Sequence, residues 1–333
     1  GGRQRSSGDR CRTGGAGRRM IELQDALRKK EIWAIGGGKG GIGKSLITGN
    51  IGISLARLKK KVLLVDADLG GANLHTTLGI GVPEMTLSDF LNRRVETIQD
   101  VIIKTSIPNL SLISGAQDFL DAANPNFAQK TRLLRHLETL EADYILLDLG
   151  AGTSFNILDF FLFSDHGILV VLPEPTAIEN AYRFIKSAFY RRFKKVVANQ
   201  NIKDVIDAAM DQKNTMGIRT PYDLIERVKT MEKEVGEILE LEVNKFRPKL
   251  VVNQVRTKND IQIGFSMRSA CQKYFGINLE YLGYVEYDDC VWQSIRSKRP
   301  LSVEYPYSRP ARCIERIVHN LLRKEQLTLS VLY

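Results

Sequence analysis

The chain has no apolar run near the roughly 18–20 residues that a bilayer-spanning helix needs, so no membrane-spanning helix is expected. Cysteine is scarce. Cys11, Cys271, Cys290 and Cys313 lie far apart, with no C-x-x-C pair and no neighbouring histidine. That gives no basis for a structural zinc or iron–sulfur site and fits reduced cytosolic thiols. The four histidines, His75, His136, His166 and His319, are isolated, so spacing alone assembles neither a Ser/His/Asp triad nor a metal set. The Gly/Arg/Ser-rich start is not followed by the apolar core of a signal peptide. A cytoplasmic protein is the expectation.

What remains is the composition of a folded globular chain. The chain has 333 residues, 43% hydrophobic and 26% charged, too apolar for a disordered chain. The net charge of +10 is unevenly spread, because residues 1–19 hold six arginines and one acid. They read as a disordered basic leader. Residues 20–333 read as one domain whose modest positive excess is a weak argument for a nucleic-acid partner, so DNA is not expected.

From residue 31 onward, short apolar runs alternate with amphipathic stretches. Ile32–Ile35, Lys61–Asp66, Asn109–Ile113, Tyr144–Asp148, Gly167–Leu172, Lys249–Asn253 and Leu279–Val285 read as buried strands. Asn50–Leu58, Phe127–Leu140, 177–193 and Ile314–Leu322 read as helices between or after them. This is the α/β pattern of a mostly parallel, twisted sheet with helices on both faces. About 75 residues separate the strand ending at Leu172 from the one starting at Lys249, more than one crossover needs. A helical insertion is expected at about 194–248. Within it Thr220-Pro221-Tyr222-Asp223 spells an N-cap with proline at the first helical position. Leu224, Val228, Met231, Val235 and Ile238 then predict one apolar stripe on a helix of roughly 20 residues.

The strongest signal is Gly38-Lys39-Gly40-Gly41-Ile42-Gly43-Lys44-Ser45, which satisfies G-x-x-x-x-G-K-[ST] directly between a strand and a helix. Glycines let successive N–H groups curl around one anion, and the helix N-terminus adds partial positive charge. Lys44 then meets the β- and γ-phosphates and Ser45 offers its hydroxyl to Mg²⁺. The nucleotide-binding set is expected to run from Gly38 to Leu46, with Mg²⁺ and ATP as the bound pair. A second lysine, Lys39, exceeds what one triphosphate needs from one chain.

The segment Lys39–Ser45 resembles the deviant Walker A motif, KGGxGK[ST], of the MinD/ParA ATPases. The resemblance covers roughly residues 30–190 and 249–325 and leans toward the FlhG-like regulators of flagellar placement. It implies that Lys39 reaches a partner's phosphates, making ATP binding and homodimer formation one event. It also implies that Asp66 assists the metal shell, that Asp68 orients or deprotonates the attacking water, and that Asn73 supports that switch segment. Asp148 and Gly152 match the family's D-x-x-x-G, with Asp148 beside Ser45 and Asp66 as the metal-holding set. The proline often found between them is missing here, which leaves the stiffness of the loop open. Asn253 matches the residue whose amide reads adenine, and Gly283–Asp288, with Tyr284 and Val285, would form the other wall. Lys39, Lys44 and Asp68 are thus the expected catalytic residues.

The resemblance implies a slow ATPase acting as a nucleotide-switched dimer in flagellar placement or division-site positioning, read by a protein partner. Two other readings share the same loop. An Mrp-type iron–sulfur carrier would need paired thiolates at a dimer axis. A ParA-like partition ATPase would need phosphate contacts from the leader and from Tyr190–Lys195. Gln326–Tyr333 is too short and uncharged for a convincing amphipathic membrane anchor. Peripheral association with the inner membrane therefore has no identified anchor.

Overall fold

The computed structural model describes residues 30–115, 125–210, 217–218, 220–324 and 326–328. The basic leader falls outside them. Eight strands form one sheet: β1 (Glu31–Gly37), β2 (Val62–Asp66), β3 (Ile102–Lys104), β4 (Leu110–Ile113), β5 (Tyr144–Ala151), β6 (His166–Val171), β7 (Lys249–Val255) and β8 (Glu280–Glu286). Their order is β3-β4-β2-β5-β1-β6-β7-β8. Every pairing is parallel except β3 with β4. The expected strands appear because both faces of each are covered. β2 is buried at every position, and β1 at all but its first residue. Only β3 escapes the sequence pattern, being three residues long and incompletely buried.

Thirteen helices are described. The sheet is first followed by α1 (Lys44–Arg57), α2 (Leu74–Thr77), α3 (Leu87–Leu91), α4 (Phe127–Thr139), α5 (Phe155–Phe163) and α6 (Pro175–Val196). Then come α7 (Gln200–Met210), α8 (Pro221–Met231), α9 (Lys233–Lys245), α10 (Lys258–Phe275), α11 (Asp289–Ser297), α12 (Leu301–Glu304) and α13 (Arg309–Arg323). α1 packs against β2, β5 and α13, and α13 in turn covers β8. α5 and α6 pack together over β1 and β6, with Phe161 edge-on to Phe184. Asn50 ties α1 to α12, donating to the carbonyl of Leu46 and accepting from the N–H of Ser302, both at 2.8 Å.

The stripe expected as one helix is two. The Thr220–Asp223 capping box forms as expected. Glu232 then adopts extended angles (φ −144°, ψ 103°) and separates α8 from α9, which fold back on each other. Leu224, Val228 and Leu239 are buried, whereas Met231 and Ile238, counted into the stripe, are exposed. A single straight helix would leave its apolar side without cover, and the fold-back supplies that cover within the segment.

One buried charge holds three helices together. Asp159 on α5 accepts from Arg191 on α6 through Nε and a terminal nitrogen, at 2.7 and 2.8 Å. Lys195 lies at 2.9 Å, and Lys130 on α4 also pairs with it. Burial alone would raise the carboxyl pKa. The hydrogen bonds from Arg191, Lys130 and Lys195 outweigh that and hold it well below the usual range. A lowered acid pKa stabilises the fold at every pH above the ordinary carboxylate value and is lost only in stronger acid. Asp159→Asn should therefore cost about 3 kcal/mol in denaturant unfolding at pH 7. The gap to wild type should hold from about pH 5 to 8 and narrow below about pH 4.

Candidate functional site

The strand order reverses around β1. The chain leaves β1 to build β2 on one side, while β6 pairs with its other edge. Crevices at the C-terminal ends of strands form at such points. The loop 38–43 lies there, between β1 and α1. Two of its glycines are required by geometry. Gly43 has φ +90°, and a Cβ on it would meet the Asn253 amide nitrogen at 2.4 Å. A Cβ on Gly38 would sit 2.5 Å from the carbonyl oxygen of Asn180 on α6. Gly40 and Gly41 are exposed, Ile42 is buried, and Leu46 is buried in the first turn of α1. The N-terminal N–H groups of α1 have no side-chain cap, and such orphan donors are available to an anion.

The buried electrostatics are unbalanced. Lys44 is buried, its Nζ 3.4 Å from the carbonyl of Lys39. Burial lowers its pKa, while Asp148 and Asp68 oppose that fall. Asp66 and Asp148 are register partners on β2 and β5, and both are buried. Burial, and for Asp66 the neighbouring Asp148, push both carboxyls up. Asp148 accepts from Thr48 at 3.1 Å, and the Ser45 hydroxyl beside it also opposes the rise of its pKa. Asp66 accepts the N–H groups of Asp68 and Leu74 at 3.2 and 3.0 Å. Two desolvated carboxylates beside a serine hydroxyl form a hard-oxygen donor set that suits Mg²⁺. A magnesium site that also holds phosphates needs only one or two protein ligands. Among the described residues no cluster of three or more His, Cys, Asp or Glu side chains forms an all-protein cage.

The segments that follow β2 and β5 touch. A Cβ on Gly150 would lie 3.1 Å from an Asp68 carboxylate oxygen. Gly152, at φ +98°, donates to the carbonyl of Gly37 at 3.2 Å, and Ala67 donates to that of Asp148 at 2.9 Å. Asn73 is exposed and steadies the same segment by donating to the carbonyl of Gly71 at 2.6 Å. Lys39 points outward, with its ammonium 3.7 Å from Glu174. Both side chains are about half exposed, so solvent screens the pair and it exchanges readily for a stronger anion.

Of the stretch expected to wall the base pocket, Glu286, Tyr287 and Asp288 line the cavity next to the loop together with Asn253, whereas Tyr284 and Val285 do not. Asn253 is buried and its amide donates to the carbonyl of Ile42 at 2.8 Å, so it braces the phosphate loop. Val285 is buried, and Tyr284 lies toward Arg316 of α13. Neither lines the cavity next to the loop, because both are still inside β8. The wall begins where β8 ends. A cavity of about 680 Å³ runs from Gly41, Gly43 and Leu46 past Asn253 and Gln254 to Glu286, Tyr287, Trp292 and Ile295. Sequence reasoning missed Thr48, which follows Lys44 by one helical turn, and the residues of α11. Thr48 had a readable signal in that spacing. Those of α11 had none.

A family model described as an AAA domain matches residues 30–205, more than half of the chain, and the chain belongs to that family. The antiactivator FleN of Pseudomonas aeruginosa is 32% identical over 168 residues, 50% of this chain and 59% of FleN. The septum site-determining protein MinD of Synechocystis is 37% identical over 157 residues, 46% and 58% of the two chains. The matched stretch thus spans somewhat over half the length of these relatives. Among solved structures, MinD of Pyrococcus horikoshii complexed with Mg-ADP superposes with a TM-score of 0.59 at 22% identity, covering 88% of this chain and 96% of that one. A ParA family ATPase from Chlorobium tepidum gives 0.58 at 18%, covering 88% and 99%. The fold is that of the MinD and ParA P-loop proteins.

The brace on the loop can be tested by substitution. Asn253→Ala removes one buried hydrogen bond, worth about 1 kcal/mol. Calorimetry should show affinity for a phosphate-bearing ligand falling by roughly three- to tenfold, with the secondary structure unchanged by circular dichroism.

Proposed function

We propose that this member of the AAA-domain family binds Mg-ATP, hydrolyses it slowly, and acts as a nucleotide-switched homodimer. The observation that carries the reading is the glycine loop at the end of β1, with Lys44 beneath it and the Asp66–Asp148 pair beside it. The loop and the first turn of α1 present N–H groups to the β- and γ-phosphates. Lys44 neutralises charge that builds there as the terminal phosphoryl leaves. Bound Mg²⁺ would neutralise the phosphate oxygens, and Ser45, Asp148 and Asp66 are the residues placed to hold it. Asp68 rests on the Gly150 loop and orients or deprotonates the attacking water. The γ-phosphate draws in the loop from Asp148 to Gly152, and Asp68 follows because the two segments are in contact.

Lys39 couples chemistry to assembly. In one chain it rests on Glu174. In the proposed dimer it leaves that surface pair for the triphosphate of the facing chain. FleN is described as an antiactivator and MinD as septum site-determining. A site-determining or regulatory role in the cytoplasm, with a protein partner that reads the ATP-bound dimer, is the reading for this chain too. No described helix is long and apolar enough to cross a membrane. The iron–sulfur alternative has less support, since Cys271 and Cys313 are buried and burial pushes the Cys271 thiol up to about 12.

Three substitutions separate the roles. Lys44→Ala should abolish nucleotide binding. Asp68→Ala should bind ATP normally but hydrolyse it at least about tenfold more slowly, and should accumulate as the dimer. Lys39→Ala should bind ATP yet stay monomeric by light scattering with a non-hydrolysable analogue. An Asp68→Ala variant with wild-type turnover would refute the water-orienting role.

A further inference from the structure

The cavity beside the phosphate loop is chemically polarised. Its near end holds Gly41 and Gly43 at the start of α1, with Lys44 beneath. Its far end carries Glu286, Asp288 and Asp289. An anionic tail is attracted to the first end and repelled from the second, whereas sugar hydroxyls can donate to the carboxylates. A nucleotide therefore enters in one orientation, with its base toward α11.

At that end stands Trp292. The chain has only two tryptophans. Trp33 is fully buried, while Trp292 is 59% exposed and lines the cavity. Its neighbours on the same wall, Val291 and Ile295, are also apolar. The Arg296 guanidinium lies over the indole, 5.2 Å from the ring centroid, one turn along the same helix. That contact occupies one π-face and holds the ring's orientation, leaving the other face available. Gln254 also lines the cavity, in a left-handed conformation (φ 58°), at the bulge where the β7–β8 register shifts. Its side-chain amide has no hydrogen-bond partner among the described residues. It brings a donor and an acceptor to the cavity, while the amide of Asn253 is committed to the loop.

We infer that the purine base of the nucleotide stacks on the free face of Trp292, in the cavity that Gln254 also lines. This rests on the P-loop reading above and adds to it the residue that recognises the base. Aromatic stacking under a base accounts for a substantial part of nucleotide affinity and tolerates ring type more than edge pattern.

The test uses ADP and pyrophosphate with Mg²⁺, neither of which carries a γ-phosphate to drive dimerisation. Calorimetry on the full chain should show ADP binding more tightly than pyrophosphate. Trp292→Ala should lose about tenfold or more in ADP affinity and nothing for pyrophosphate. Trp292→Phe should retain most of the ADP affinity. ADP should quench tryptophan emission in the wild type but not in Trp292→Phe, because Trp33 is buried; pyrophosphate should quench neither. If the wild type binds neither ligand, the phosphate-loop reading fails and the stacking fails with it. If Trp292→Ala binds ADP like the wild type, the inference is wrong while the loop reading stands. If that variant instead loses only the ATP-dependent increase in mass, the indole belongs to the dimer face and the inference is again wrong. Equal losses for ADP and pyrophosphate would mark a structural role and overturn it as well.

Discussion

Main-chain N–H groups can surround a phosphate only where no Cβ stands in the way and where something fixes the bare backbone. Everything else in the site depends on meeting both conditions in the loop after β1. Glycines meet the first, since Gly43 lies against Asn253 and Gly38 against Asn180. The second is met from outside the loop. β1 is buried in the middle of the sheet, α1 is pinned by Asn50 to α12, and Asn253 holds the carbonyl of Ile42. A flexible glycine loop thus becomes a preorganised cradle, which lowers the ordering cost of binding.

The same placement sets the electrostatics. Asp66 and Asp148 are carried to the same level by parallel registration of β2 with β5, and Lys44 is buried nearby. Each of these groups is shifted toward its neutral form by burial. Such an arrangement is unfavourable by itself and becomes favourable when a divalent cation and an anionic phosphate supply the missing charges. The segments that follow β2 and β5 are in contact with each other and with the end of β1, Asp68 lying on Gly150 and Gly152 donating to Gly37; under the proposed function, that contact would carry a change at the terminal phosphate from one segment to the other.

How much could be read from sequence follows from how local each signal is. The cradle was legible because its glycines, lysine and serine are contiguous and flanked by a strand and a helix. Buried parallel strands were legible because both faces are apolar, as in VLLVD of β2. β3 was not, because three incompletely buried residues carry no period. The break at Glu232 was not, because the 4, 3, 4, 3 spacing continues across it and only the packing of α8 on α9 decides the fold-back. Of the stretch Gly283–Asp288, only the second half, Glu286–Asp288, lines the cavity beside the loop. Where a strand ends and the chain turns toward a crevice is set by its neighbours in the sheet, and here β8 continues to Glu286. Trp292 carries no signal in the sequence, and only the cavity brings it to the same site as the loop.

The most direct test of the central claim is the backbone amide spectrum of Gly40, Gly41, Gly43, Lys44 and Ser45 during a titration with Mg-ADP. The account predicts that these five resonances move together and saturate at one stoichiometric equivalent. If they stay fixed at millimolar Mg-ADP while the chain remains folded, the cradle does not bind the phosphates and the account is contradicted.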